Sequence, residues 1–274
     1  MYGLQNIFLK FKTDLAMGKT RRESIKLLGL GGIGLLSGGF TLPLKDPRYI
    51  ITLSFDDGFE KSSIRTAEIY EKHGLSACLN IIASAHLDQF QLPNEYHDWP
   101  AGDFTLWNEL KRRGHEIMPH SYKHTNLAQV PLEEAKVWVG KCIDVFNEEL
   151  DGFAASESVF NLPHNASTPE LEEWLYTRFR IIRTHGGLYN PLPFKGMVRL
   201  GCGGFGPGNI DKHLTESIDN FLEGPPGWFV YNTHGLDDEG WGPLSSGVLD
   251  ELLSRLSGLE NVEVLPVIPA LDTI

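Results

Sequence analysis

From Pro47 onward, apolar runs and amphipathic stretches alternate along the chain. Tyr49-Ile50-Ile51-Thr52-Leu53 is rich in β-branched and aromatic residues and predicts a buried strand over about 49–55. Gly58 breaks it, and a helical pattern follows over about 59–73, ending at His73-Gly74. A strand is expected from Ala77 to Ile82. A helix over 103–113 closes on Lys111-Arg112-Arg113-Gly114, basic residues followed by a glycine stop. A helix over 131–150 opens with Pro131, Glu133 and Glu134, in keeping with the helix dipole. Further units follow: strand 157–162, helix 168–178, strands 179–184 and 227–233, helix 245–257 and strand 262–267. Repeated β-then-α units predict an α/β fold on a parallel sheet, open or closed into a barrel. The segment 84–102, with Pro93, Trp99 and Pro100, is too long for a plain connector and is expected to cover or line a site. Leu200 to Gly208 holds five glycines but lacks phosphate-cradle spacing, so it reads as a flexible loop.

Composition narrows the class. The 274 residues are 22% charged and 41% hydrophobic, as in a soluble globular domain. The formal net charge of −12, with no basic cluster outside the N-terminus, argues against nucleic acid or a stable anionic-membrane partner. Three cysteines, Cys78, Cys142 and Cys202, have no CxxC spacing and make no evident disulfide framework. Residues 1–45 read as a leader and linker outside the folded domain of 46–274. Thr20-Arg21-Arg22-Glu23-Ser24-Ile25-Lys26 leads into a short Gly-rich apolar stretch, Leu27 to Phe40, and resembles a twin-arginine export signal. Residues 1–40 carry six Lys/Arg and two Asp/Glu, so their removal leaves a still more acidic domain. Export to the periplasm, cell surface or medium is the expectation, with a surface amphipathic helix as the alternative.

Two constellations carry chemistry. Ser54-Phe55-Asp56-Asp57-Gly58 puts adjacent carboxylates at the C-terminal end of a central strand, where α/β sheets and barrels carry their active sites. A fold that seats like charges this close usually neutralises one with a cation and leaves the other free to move protons. A solvated Asp-Asp-Gly turn is the alternative. The second constellation is Gly114 to His124, in which His120 and His124 follow a strand-like Glu116-Ile117-Met118. Their spacing of four places both on one face of a helical turn, able to grip one metal. With Asp57 they make a two-His, one-carboxylate set with open positions, the layout of a catalytic site. Those donors suit Zn2+ among divalent ions.

Ser-Phe-Asp-Asp-Gly followed by His-Ser-x-x-His resembles the first two motifs of the polysaccharide deacetylase family, carbohydrate esterase family four. The resemblance runs over about residues 49–270 and implies a distorted (β/α) barrel. It implies that Asp57, His120 and His124 hold the metal and that Asp56 is the general base. Trp228 to His234 resembles the last family motif, an apolar strand ending in a His, and implies His234 as general acid. The middle motifs depart from the pattern. Asn161, in Phe160-Asn161-Leu162-Pro163-His164-Asn165, stands where the family usually has Arg; Pro163 is kept, and the His164 N–H remains a candidate for an oxyanion. The Asp-Trp motif whose Asp pairs with that Arg is also missing, and Ile182-Arg183-Thr184 occupies the corresponding strand. Losing both partners together leaves no charge buried alone. Arg183 reads either as a replacement cation beside Asp56 or as a surface salt-bridge residue. Trp241, after Asp237-Asp238-Glu239-Gly240, reads as a sugar-stacking platform or as part of a solvated acidic loop.

The expected function is metal-dependent hydrolysis of N-acetyl or O-acetyl groups on a carbohydrate. In it Asp56 deprotonates a metal-activated water and His234 protonates the leaving group. Two alternatives stay open. One is hydrolysis of another non-peptide C–N bond, in a cyclic imide or small amide, on the same metal site. The other is a non-catalytic glycan-binding protein.

Overall fold

In the computed structural model, residues 48–90 and 99–274 are described. The leader read over 1–45 and the centre of the 84–102 loop lie outside the described residues. The elements run β1 (Tyr49–Phe55), α1 (Glu60–Lys72), β2 (Cys78–Ile81), α2 (Phe104–Arg112), β3 (Glu116–Pro119), α3 (Leu132–Glu149), β4 (Val159–Asn161) and α4 (Pro169–Leu175). Then come β5 (Ile181–His185), β6 (Tyr189–Asn190), β7 (Arg199–Cys202), α5 (Ile210–Glu223), β8 (Gly227–Thr233), α6 (Ser246–Ser257), β9 (Val262–Val264) and α7 (Val267–Leu271). Short polar side chains start several helices. Asp103 accepts from the Leu106 N–H, Thr168 from Leu171 and Asn209 from Lys212, each satisfying a donor that the helix itself leaves free.

β1 organises the sheet because both of its edges are used. β8 pairs in parallel along all seven residues, from Tyr49 opposite Gly227 to Phe55 opposite Thr233. The other edge is shared: β9 takes residues 49–51 and β2 takes 54–55. The larger sheet has the order β3-β2-β1-β8-β6, with only β6 antiparallel, and β4-β5-β7 form a second parallel sheet. The two sheets meet at two seams. At one, Gly203 bridges Tyr231 beside β8. At the other, β4 lies against β3 without a backbone ladder, through Asn161 Nδ2 donating to Pro119 O at 3.3 Å and the Val159 N–H directed at Met118 Sδ at 3.5 Å. The result is the expected (β/α) barrel, distorted and interrupted at β3/β4.

Side-chain alternation divides this barrel into an apolar floor and a polar mouth. On the floor, Ile50, Cys78, Val159, Ile181, Leu200, Trp228 and Val230 form one cluster, closed from below by Val267 and Leu271 of α7. Buried Glu116, first residue of β3, ties that plug down by accepting from the Val267 and Ile268 N–H groups at 3.0 and 2.8 Å. Outward residues such as Ile51, Leu53, Phe55, Phe229 and Tyr231 pack with the helices in the main core.

Three sequence expectations change. The last strand stops at Val264 and not at 267, because Pro266 interrupts it and caps α7. The first three residues of Leu200 to Gly208 belong to strand β7 and Gly203 makes one further bridge, so the loop begins only at Gly204; the glycines weaken the strand signal. α5, which follows that stretch, escaped the sequence reading altogether.

Candidate functional site

The site is built on the C-terminal ends of the barrel strands. Asp56 extends β1 by one rung, its N–H donating to Thr233 O at 2.8 Å. Asp57 then takes a left-handed φ of 77°, and both carboxylates approach His120 Nε2, Asp56 Oδ2 at 3.8 Å and Asp57 Oδ1 at 3.5 Å. Asp56 is 3% exposed and doubly held: Arg183 Nη2 donates to its Oδ2 at 2.7 Å and Asn80 Nδ2 to its Oδ1 at 2.8 Å. Arg183 reaches it from β5 and is fully buried, which removes the surface salt-bridge alternative. Burial works against the Asp56 carboxylate, but Arg183, with His120 and His234 beside it, holds its pKa below the usual range. Asn161 does not reach Asp56. Its Nδ2 donates to Asn80 Oδ1 at 2.7 Å, so it props the residue that does. Asn80 left no trace in the sequence except as a polar residue inside an apolar strand.

His120 and His124 come together, but not on a helical turn. They lie in an irregular loop after β3, in which Ser121 and His124 have φ of 67° and 57°. The Ser121 hydroxyl accepts from the His124 N–H at 3.0 Å and fixes the turn. His120 Nε2 and His124 Nε2 lie 3.5 and 3.4 Å from Asp57 Oδ1, which is buried with no hydrogen-bond partner among the described residues. His120 Nδ1 contacts Asn161 O at 2.9 Å; a carbonyl only accepts, so Nδ1 carries the proton and Nε2 keeps its lone pair. One donor atom from each of the three residues falls within 4.8 Å of the others. An orphaned carboxylate oxygen facing two imidazole nitrogens is a set that fits a divalent metal ion.

These ligands line a cavity of about 450 Å³ together with Asp56, His164, Asn165, Asn232 and His234. Trp241 forms one wall, half-buried and edge-on to the His234 ring at 5.2 Å. It presses so closely on the chain that a Cβ at Gly206 would meet the indole at 2.4 Å. The acidic loop before it is only partly solvated. Asp237 and Asp238 are exposed, whereas Glu239 is buried and accepts from the Ser62 N–H in the first turn of α1. Pro163 is buried at the end of β4 and His164 stands at the rim with φ 57°, its ring 4.6 Å from that of His124. All nine site residues named from the sequence therefore lie in one neighbourhood.

Burial lowers the His120 pKa to about 3 and that of His124 to about 4, and raises that of Asp57 to about 6, with Asp56 adding to the rise. Depressed His values stabilise the fold above about 6.5, and that stability is lost as pH falls toward the folded values. The raised Asp57 value acts oppositely: its stabilisation is present below 3.8 and is lost as pH rises through about 6. Two histidines outweigh one carboxylate. Between pH 6 and 4 the chelated protein should lose stability from these groups as pH falls. A thermal midpoint that does not fall between pH 6.5 and 4.5 would contradict this.

The chain resembles the solved structures of a peptidoglycan deacetylase from Bacillus subtilis (14% identity, TM-score 0.51, 82% of this chain and 91% of that one). It also resembles a family 4 acetyl xylan esterase from Clostridium thermocellum in complex with a cobalt ion (13%, TM-score 0.55, 82% and 91%). A third is a family 4 carbohydrate esterase from Streptomyces lividans in complex with acetate (13%, TM-score 0.53, 80% and 92%). At these identities the likeness establishes the fold. No curated protein matches the sequence. The polysaccharide deacetylase family profile matches residues 44–201, more than half of the chain and through both the Asp56-Asp57 and the His120–His124 motifs. The chain belongs to the polysaccharide deacetylase family.

Proposed function

We propose that this protein is a metal-dependent carbohydrate deacetylase. The observation that carries the reading is the juxtaposition of two differently tuned groups. Asp56 is locked in its ionised form by Arg183, and beside it Asp57, His120 and His124 gather into a set of metal donors. A divalent ion in that set, with zinc favoured by the donors, would act as a Lewis acid on the acyl carbonyl and bring the pKa of water toward neutrality. Asp56 takes the proton from the attacking water; Arg183 and Asn80 hold both of its oxygens, so it meets the reaction in one orientation. His234, at the end of β8, delivers a proton to the departing amine or alcohol. The backbone N–H of His164 is the candidate donor to the developing oxyanion. Trp241 offers an aromatic face to a sugar ring. The twin-arginine-like sequence of residues 20–26 supports a reading in which the glycans lie outside the cytoplasm.

The test is acetate release from N-acetylglucosamine oligomers and from acetylated xylan by the purified protein. It is run as isolated, after chelation, and after zinc or cobalt is restored. Release that chelation stops and metal restores is expected. A protein that binds metal but releases no acetate from either substrate would move the assignment to another C–N bond. One that binds sugar without metal or turnover would be a glycan-binding protein.

A further inference from the structure

The cavity contains a polar group that the mechanism above leaves unused. Asn232 lies two residues before His234 on β8, opposite Ser54 in register, so its side chain faces the barrel mouth along with Asp56 and His234. It is 8% exposed. Its Oδ1 is engaged from two directions, by Asn165 Nδ2 at 3.0 Å and by the Cys202 thiol at 3.6 Å. The thiol itself accepts from Arg183 Nη1 at 3.6 Å, which leaves its hydrogen for Asn232 Oδ1 or for Gly203 O at 3.7 Å. The Asn165 amide and the Cys202 thiol both meet the oxygen end of the Asn232 amide. The NH2 end is left facing the cavity, and no described residue accepts from it. The opposite wall is shaped to this arrangement: a Cβ at Gly204 would come within 2.8 Å of Asn232 Oδ1 and 2.6 Å of its backbone oxygen. A nearly buried donor that is oriented by its neighbours and lacks a protein partner is matched by a ligand acceptor.

We infer that Asn232 is a substrate-binding residue whose amide donates to a neutral oxygen of the substrate beside His234. The inference rests on the deacetylase reading and deepens it. The oxygen is either the acyl carbonyl or a ring hydroxyl of the sugar.

Two variants separate binding from scaffolding. Asn232→Asp keeps an oxygen for Asn165 and Cys202 but replaces the cavity-facing donor by an acceptor. Asn232→Ala removes both. Kinetics on N-acetylglucosamine oligomers are read alongside direct binding of the oligomer to the same variants in an Asp56→Asn background. Asn232→Ala should raise KM and weaken binding about three- to tenfold, the worth of one neutral hydrogen bond, with a smaller change in kcat. Asn232→Asp should melt near the wild-type temperature and weaken both by more than about tenfold if the oxygen is the acyl carbonyl, and by no more than Asn232→Ala if it is a hydroxyl, which can donate to the carboxylate. Acetate inhibition of Asn232→Ala locates the oxygen: inhibition weakened in parallel assigns it to the acyl group, unchanged inhibition to the sugar. If Asn232→Asp and Asn232→Ala both keep wild-type KM and binding, Asn232 is a scaffold residue and the inference is overturned while the deacetylase reading stands. If wild-type protein neither binds nor hydrolyses the oligomer, the deacetylase reading falls and this assignment falls with it.

Discussion

Asp56→Asn is expected to lower acetate release by about 10²–10⁴-fold, the usual contribution of a positioned general base. The substitution keeps the shape of the side chain, and an amide oxygen can still accept from Asn80 or Arg183, so the cavity should stay intact. Metal uptake, which depends on Asp57, His120 and His124, should persist. The cost appears elsewhere: Arg183 becomes a fully buried cation facing a neutral amide. Asp56→Asn should therefore also melt earlier than the wild type. Isothermal titration with zinc and a thermal scan, run with the activity assay, separate these effects. Undiminished acetate release would remove Asp56 from the base role.

Arg183→Met carries the second large effect. Truncating one partner of a buried ion pair destabilises by about 3–5 kcal/mol, because the remaining charge keeps its desolvation cost and loses its compensation. Here the remaining charge is Asp56, and burial then raises its pKa unopposed by its main counter-charge. The base becomes protonated at pH values where it now works, so activity should fall and return in part as pH is raised. The double variant Asp56→Asn/Arg183→Met leaves neither charge and should recover most of the lost stability with none of the activity. Denaturant titration of the four proteins gives the coupling directly. Additive losses, with no recovery in the double variant, would show that the 2.7 Å contact does not act as a buried pair.

The residues that the sequence made legible are those whose chemistry and chain position coincide. Asp56, Asp57, His120, His124 and His234 all follow apolar strands, and a parallel barrel gathers strand ends at one mouth. Arg183 was visible as an alternative only, since nothing local shows whether a cation at a strand's end faces in or out. The spacing of His120 and His124 pointed to two residues that do come together, but left-handed turns at Ser121 and His124, not a helix, bring the rings side by side. Asn80, Asn165, Asn232 and Glu239 were not legible because their roles exist only through partners far away in the chain. Asn80 meets Asp56 from 24 positions away, and Asn165 meets Asn232 across 67. The fold was missed for a different reason where it was missed. Glycines that admit Trp241 and the Asn232 amide look, in one dimension, like a flexible linker.

The two edges of β1 have a consequence for biosynthesis. The first strand of the domain is completed by two of the last, β8 and β9, and the barrel floor is sealed by α7 at residues 267–271. During translation Asp56 and Asp57 therefore emerge long before the strands that bury them. Such long-range pairing slows folding and leaves half-made sheets with open edges. The ribosome must release nearly the whole chain before a working site can assemble, and chaperone dependence should be concentrated in that interval.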